Sequence, residues 1–225
     1  MKRLLSVTTA VFTLVASGYF ALVAHGQSAP ELMLTWRTNA YAPPRFSGKI
    51  LPPAGASIEA AVSLIDNGKA VNLAAYEVRW LLDDEVQRGK GMKTARFVAS
   101  QDETHALRVS VLSYKGTDVR RAMAIPAAIP EAVIAPQEPH HVIHSGINLF
   151  RGLLYFFRIA SLRDTRIVWS IRGHSTTGGE PDQDTLSLDA GEGPLTEGVF
   201  PLTVTVENLR VAGETDRATL PLITQ

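Results

Sequence analysis

The sequence predicts an all-β protein with two tandem β-sandwich domains that follow an N-terminal signal or anchor helix. Three observations support this fold class. Two tryptophan-bearing runs, 76–82 and 166–171, alternate apolar and polar residues, as half-buried strands do. Each run is followed along the chain by a second alternating run of β-branched residues, 107–111 and 202–206. Turn residues interrupt the sequence roughly every eight to twelve residues, which is typical of a sandwich.

Length, charge and cysteine content limit what the protein does. The chain has 225 residues, enough for an N-terminal segment and two sandwiches of about 100 residues each. Its 22 basic residues balance 22 acidic ones, so no long-range field attracts it to nucleic acid. It has no cysteine, which excludes disulfides, thiolate metal sites and a cysteine nucleophile.

The first 26 residues have the pattern of an export segment. Lys2 and Arg3 precede the uncharged run 4–24, and Ala24-His25-Gly26 places small residues where a signal peptidase reads them. Cleavage would fall before Gln27. The uncharged run is also long enough to span a bilayer, so an uncleaved anchor is the alternative, and a buried core helix is the least favoured interpretation. We expect a periplasmic, cell-surface or secreted protein that contacts membrane only through residues 4–24.

The first domain is predicted over 30–126. Its expected strands are 32–38, 57–65, a short edge strand at 71–73, 76–82, 93–99, 105–113 and 118–125. Asn67-Gly68 predicts a tight hairpin turn, since these residues accept positive φ. The segment 41–55 has too many prolines for a central strand. We interpret it as a connecting loop, with a polyproline-like segment offered to a partner as the alternative.

A Pro-rich linker over 127–131 leads into the second domain, predicted over 132–225. Its expected strands are 132–136, 149–162, 166–172, 185–188, 198–208 and 216–223. The run 149–162 is long enough for a helix. We favour a strand because Gly152 lies inside it and its aromatic residues keep a period of two.

The alternation places both tryptophans in the cores. Val78 and Leu82 share a face with Trp80, and Ile167 and Ile171 share one with Trp169. Each indole is expected to fill the space between two sheets about 10 Å apart. A surface tryptophan that binds sugar is the alternative.

These residues also resemble a known family. Trp169, Leu186-Ser187-Leu188 and the run 198–208 are similar to a polycystic-kidney-disease-type (PKD) immunoglobulin-like domain. The chain departs from that family at Arg172-Gly173-His174, where the family carries Gly-Asp-Gly. The first half resembles the family more loosely, through Trp80 and the run 108–111. The resemblance extends to uncharacterised exported bacterial proteins with two such domains, and it implies a spacer, adhesive or protein-binding role.

An acidic segment in the second domain is the candidate metal site. Glu180, Asp182, Asp184 and Asp189 supply the oxygen ligands that Ca²⁺ prefers. Their spacing is not that of an EF-hand, so a solvated loop is the alternative. We expect no other cofactor.

Two further groups of side chains carry weaker hypotheses. His140, His141 and His144 include a pair four residues apart that could bind a metal on a helix. The nearby sequence supplies no convincing third protein ligand, and Pro139 with Gly146 favours a polar loop. The turn 83–85 is acidic and is a weaker calcium candidate. The exposed arginines Arg37, Arg120 and Arg121 are interpreted as solvated strand charges.

The sequence contains no catalytic motif, such as a nucleophile elbow, a zinc-protease helix or a phosphate-binding loop. We therefore expect a non-enzymatic surface or envelope protein that acts as a binding, adhesion or spacer module, within an envelope or pilus assembly. A protein partner in the cell envelope is expected, and nucleic acid is not. The alternatives are a Ca²⁺-dependent carbohydrate- or protein-binding module and an accessory domain of an envelope enzyme.

Overall fold

The computed structural model describes residues 29–100, 103–137, 142–171, 174–177, 183–191 and 198–224. The strands of the first sandwich are β1 (Glu31–Thr38), β2 (Ser57–Asp66), β3 (Lys69–Ala70), β4 (Glu77–Leu82), β5 (Glu85–Lys90), β6 (Thr94–Val98), β7 (His105–Tyr114) and β8 (Thr117–Ile125). Those of the second are β9 (Glu131–Pro136), β10 (Val142–Ile143), β11 (Ile147–Tyr155), β12 (Thr165–Ile171), β13 (His174–Thr177), β14 (Thr185–Asp189), β15 (Gly198–Asn208) and β16 (Thr215–Thr224).

The two sandwiches repeat one strand order. In the first, β2 pairs with β1 on one side and with β6 and β3 on the other, and this sheet packs on the antiparallel sheet β5-β4-β7-β8. In the second, the sheet β14-β11-β9 packs on β10-β16-β15-β12-β13. The segment β9–β10 belongs to both sheets, because β9 pairs with β11 whereas β10 pairs in parallel with β16.

Both tryptophans lie inward at equivalent positions, as predicted. Trp80 of β4 pairs with Val109 of β7, and Trp169 of β12 pairs with Val204 of β15. Both indoles are fully buried, at 0% exposure. Truncating a buried aromatic residue costs about 3–5 kcal/mol, so each indole is a major source of stability for its own core.

Gly152 of β11 allows the second indole to pack against the backbone. A Cβ atom at this position would lie 3.5 Å from Cζ2 of Trp169. The strand that holds Gly152 ends at Tyr155, so the predicted strand 149–162 is correct only for its first half. Phe157 and Ile159 beyond it are still buried, because the loop that follows folds back over the core.

The predicted edge strand at 71–73 is wrong. The edge pairing is made by β3, and residues Leu73–Ala75 form a 3₁₀ turn. The side chain of Asn72 accepts a hydrogen bond of 3.0 Å from the Ala74 amide, and Leu73 is buried in the core. A capping side chain and an anchoring leucine thus stabilise the turn over an extended segment.

Among the described residues, none forms a helix with the length and hydropathy that a bilayer crossing requires. The predicted signal or anchor segment, 4–24, lies outside the described residues.

Candidate binding surfaces

The predicted acidic site is only partly within the described residues. Glu180 and Asp182 lie outside them, whereas Asp184 immediately precedes β14 and Asp189 is the last residue of that strand. The two residues are five steps apart along extended chain, which corresponds to roughly 16 Å at about 3.3 Å per residue. Ligands of one Ca²⁺ ion bind at about 2.3–2.6 Å, so Asp184 and Asp189 do not share an ion. No group of three or more metal-ligating side chains occurs among the described residues.

Asp184 has a different environment from a solvated loop residue. Its side chain is only 6% exposed and accepts a hydrogen bond of 2.7 Å from Arg151 Nε. Burial, and then the negative charge of Asp184, raise the pKa of the Tyr41 phenol above its ordinary value. These three residues line a cavity of about 30 Å³ with Pro43 and Pro44. Asp184 therefore lies beside the loop that connects β1 to β2.

His144 lies in the exposed turn between β10 and β11. The side chain of Asn148 accepts a hydrogen bond from the His144 amide and donates one to the His144 carbonyl oxygen. These contacts hold the backbone of the turn. His140 and His141 lie outside the described residues.

The loop 39–56, between β1 and β2, joins the two sandwiches. The amide of Tyr41 donates to the carbonyl oxygen of Phe157 at 2.8 Å, and the amide of Phe156 donates to the carbonyl oxygen of Tyr41 at 2.7 Å. The ring of Phe46 packs edge-on against Tyr155 and Phe156, with centroids 5.7 and 6.1 Å apart. We call this set of contacts the joint.

A buried carboxylate holds the second sandwich's side of the joint together. Glu214 accepts hydrogen bonds from the Arg158 amide and from Arg158 Nε at 3.0 and 2.9 Å, and another from the Asn208 side chain. Arg158 in turn covers Gly55 of the first sandwich. Phe156 has a φ of 62°, which is unusual for a bulky residue, and it is kept there by its contacts with Tyr41 and Phe46.

A second feature that the sequence did not reveal is a buried histidine in the first sandwich. His105 is 0% exposed, and its Nδ1 donates to Asp83 Oδ2 at 2.7 Å. Asp83 also accepts from the Ala106 amide at 2.8 Å. Burial alone would raise the pKa of Asp83, but these two hydrogen bonds outweigh it and lower the pKa. The acidic turn 83–85 thus uses its first carboxylate to fix the start of β7.

The outer face of the sheet β5-β4-β7-β8 carries a group of arginines. The strand register aligns Arg88, Arg79, Ser110 and Arg120 in one row across the four strands. Arg108 lies in the adjacent row, between Leu81 and Ala122. A shallow depression of about 670 Å³ runs over this face and is lined by Arg79, Arg108 and Arg120 together with Leu81 and Leu112. We call it the arginine face.

The charges of the arginine face are poorly neutralised. Arg120 pairs with Asp118 at 2.9 Å. Arg79, Arg88 and Arg108 form no ion pair with any described residue. The interpretation of Arg120 as a solvated strand charge did not foresee the row of arginines in which it lies.

Comparisons with known proteins give similarities of fold. No protein-family model matches the chain, and no curated protein sequence matches it either. Among solved structures, the three N-terminal domains of the bacteriophage RB49 Highly Immunogenic Outer Capsid protein align over 87% of this chain, with a TM-score of 0.46 and 11% identity. This chain covers 59% of that one, less than two thirds of its length.

Two further structures show similarities of the same kind. The fibronectin(III)-like modules of Clostridium thermocellum CbhA align over 86% of this chain and 94% of their own, with a TM-score of 0.30 and 10% identity. The amphioxus IgVJ-C2 molecule aligns over 89% of this chain and 99% of its own, with a TM-score of 0.31 and 10% identity. These alignments are similarities only, and the fold assignment rests on the strand order and the paired tryptophans described above. By these features the chain is an all-β protein of two tandem β-sandwiches with immunoglobulin-like strand order.

Proposed function

We propose that the protein is an exported, non-enzymatic binding or adhesion module of the cell envelope, and that its two sandwiches act as one elongated unit. The joint carries this proposal. Interfaces between domains of one chain are commonly loose enough for relative motion, whereas here a loop of the first sandwich forms two backbone hydrogen bonds with the second. Such a connection suits a protein that holds a binding surface at a set distance from its attachment point.

The chemistry of the joint supports a role in orientation. Phe46 packs its ring edge-on against both Tyr155 and Phe156, and aromatic pairs of this geometry contribute about 0.5–1.5 kcal/mol beyond their buried area. The Ala128 amide in the linker adds a hydrogen bond of 3.2 Å to the Pro52 carbonyl oxygen. The linker and the loop 39–56 therefore restrain the joint from two sides.

Small-angle scattering of the mature protein tests the rigid unit. We expect a single elongated shape for the wild-type chain and a broader distribution of dimensions for Phe46→Ala, because this substitution removes the aromatic contacts across the joint. Ile147→Ala, an exposed apolar residue on the second sandwich, is the matched control and should behave as wild type. Equal flexibility of the wild-type and Phe46→Ala proteins would refute the rigid joint.

Binding is tested separately, by capture of envelope proteins from the native host on immobilised mature protein. We expect specific enrichment of at least one envelope component. A rigid monomer that enriches none would show that the protein is a spacer, and the binding role would then be withdrawn.

A further inference from the structure

We propose that the arginine face is a docking surface for an acidic segment of a protein partner, whose carboxylates pair with Arg79, Arg88 and Arg108. This inference rests on the proposed binding function and specifies the chemistry of the partner. Its physical basis is the excess of positive charge on one sheet face of a chain whose formal net charge is zero.

The residues that share this face are fixed by alternation and register. The basic ones are Arg79, Arg88, Lys90, Arg108 and Arg120, and the acidic ones are Glu77 and Asp118. Glu77 lies opposite Lys90 in the register of β4 and β5, and Asp118 is already bound to Arg120. The carboxylates of this face are therefore placed beside Lys90 and Arg120, and the other three arginines form no ion pair among the described residues.

An unneutralised arrangement of this kind opposes folding. Arg79 and Arg88 are directly opposite each other on neighbouring strands, where like charges destabilise a sheet. Several other exposed arginines have carboxylates beside them: Arg37 and Arg96 with Glu59, Arg166 with Glu207, and Arg210 with Asp164. Exposed arginines without an ion pair among the described residues also occur elsewhere, at Arg163 and Arg217, but neither lies opposite a second arginine in a sheet. A row of opposed, unpaired arginines is the arrangement that carboxylates from another molecule would neutralise.

The side chains between the arginines favour a protein over a glycan. Leu81, Val86 and Leu112 are aliphatic and partly or largely exposed. The outward positions of these four strands include no aromatic ring on which a sugar would stack. Arginine surrounded by apolar side chains is typical of protein–protein interfaces, and the planar guanidinium binds carboxylates in bidentate geometry.

An extended acidic segment has a spacing that suits this face. Neighbouring strands lie about 4.8 Å apart, so Arg79 and Arg120, which are two strands apart, are separated by roughly 10 Å at the backbone. Alternate residues of an extended peptide lie about 7 Å apart on one side, and long arginine side chains can accommodate the difference. A peptide with a carboxylate at every second position is therefore the simplest probe.

The test uses a fluorescently labelled decapeptide of alternating Glu and Ala, with alternating Gln and Ala as its uncharged counterpart. Binding to the mature protein is measured by anisotropy at low and at physiological ionic strength. We expect the acidic peptide alone to bind, and to bind more weakly as salt screens the charges. Amide chemical-shift changes should map to the four strands of this sheet, β4, β5, β7 and β8.

Charge-removing variants identify the surface. Arg79→Gln with Arg108→Gln should weaken binding by about tenfold or more, since two charge-assisted contacts are lost. The matched control is Arg163→Gln with Arg217→Gln, which removes two exposed arginines from the second sandwich and should leave affinity unchanged. Equal loss in both double variants, or no binding of the acidic peptide, would overturn the proposal.

A third measurement distinguishes a protein partner from a glycan. Polygalacturonate carries carboxylates on a sugar chain. If this polymer binds more tightly than the peptide, and the binding is lost in the double variant Arg79→Gln with Arg108→Gln, the face would be assigned to a glycan instead. If the peptide fails while the envelope capture succeeds, the acidic-segment inference falls and the binding function stands.

Discussion

Gly55 shows at the scale of one residue how tightly the joint is packed. Its φ of +78° belongs to the left-handed region, and an added Cβ atom would lie 2.0 Å from Nη1 of Arg158. Only a residue without a Cβ fits both conditions. Arg158 is in turn fixed by the buried carboxylate of Glu214, so it has limited freedom to move away.

Gly55→Ala should therefore destabilise the protein more than a Gly→Ala substitution at an unobstructed left-handed position does. Gly116→Ala is the matched control, because Gly116 has a φ of +85° and no atom within 4 Å of the added Cβ. The backbone cost common to both is about 1–2 kcal/mol, and displacement of Arg158 adds to it only at Gly55. Urea denaturation of both variants gives the comparison, and equal losses would contradict the packing at the joint.

The two core tryptophans differ in one hydrogen bond. Trp80 Nε1 donates to the Met92 carbonyl oxygen at 3.0 Å, whereas Trp169 Nε1 is buried without an acceptor among the described residues. Trp80→Phe leaves the Met92 oxygen without this donor, and Trp169→Phe removes an unsatisfied donor. The loss of unfolding free energy should be about 1 kcal/mol larger for Trp80→Phe. The opposite order in thermal or urea unfolding would refute this.

The contact between Asp83 and His105 makes stability depend on pH. The pKa of Asp83 is lowered in the fold, so its contribution is present above the ordinary aspartate pKa of about 3.9. That contribution is lost as pH falls through the lowered value. Asp83→Asn should therefore reduce stability at neutral pH and make little difference near pH 2.

The control for this prediction is the adjacent Asp84. It is exposed and makes no side-chain hydrogen bond to another described residue. Asn tolerates the positive φ of Asp83, so Asp83→Asn tests the charge with little change in the backbone. A pH profile of Asp84→Asn that matches that of Asp83→Asn would rule out the specific contact.

At the scale of strands and loops, period-two alternation predicted most of the structure. The strands around Trp80 and Trp169 were predictable because each buries one face, and burial fixes the alternation. The 3₁₀ turn at Leu73 was not predictable, because the Asn72 cap and the buried Leu73 side chain stabilise only three residues, and three residues are too few for a periodic signal. The strand end at Tyr155 was missed because the aromatic residues after it are buried in a loop.

The candidate surfaces were less predictable than the strands. The joint depends on contacts between Tyr41 and Phe157, which are far apart in sequence, and the proline content of the loop gave no sign of its partner. The arginine face depends on register, since Arg79, Arg88 and Arg108 become neighbours only once β4, β5 and β7 are paired. The sequence placed Asp184 in a candidate Ca²⁺ site or a solvated loop and did not reveal its ion pair with Arg151, because Arg151 lies on another strand.

The repulsion within the arginine row should be measurable without any ligand. Arg79→Gln removes a charge directly opposite Arg88 and is expected to raise the free energy of unfolding by about 0.2–1 kcal/mol at low salt. Arg217→Gln, on the outer face of the second sandwich, is the control and should have no such effect. A decrease in stability for Arg79→Gln would show that the row is neutralised within the chain.

For the whole molecule, the two cores are separate clusters, one drawn from 32–125 and the other from 132–222. Leu202 is fully buried in the second, so Leu202→Ala should cost that sandwich about 2–5 kcal/mol. Hydrogen exchange should then accelerate in β12 and β15 while β4 and β7 keep their protection. Equal acceleration in both sandwiches would mean that the joint couples them into one folding unit.

The parallel pairing of β10 with β16 has a mechanical consequence. The chain enters the second sandwich at the joint and leaves it from the end of β16, so tension between the two ends pulls β10 and β16 in opposite directions along their length. Their hydrogen bonds, between 142–143 and 223–224, are then loaded together in shear and do not open one after another. A protein that tethers a partner under flow or traction gains resistance from this arrangement, and the crossing of β9–β10 from one sheet to the other is what provides it.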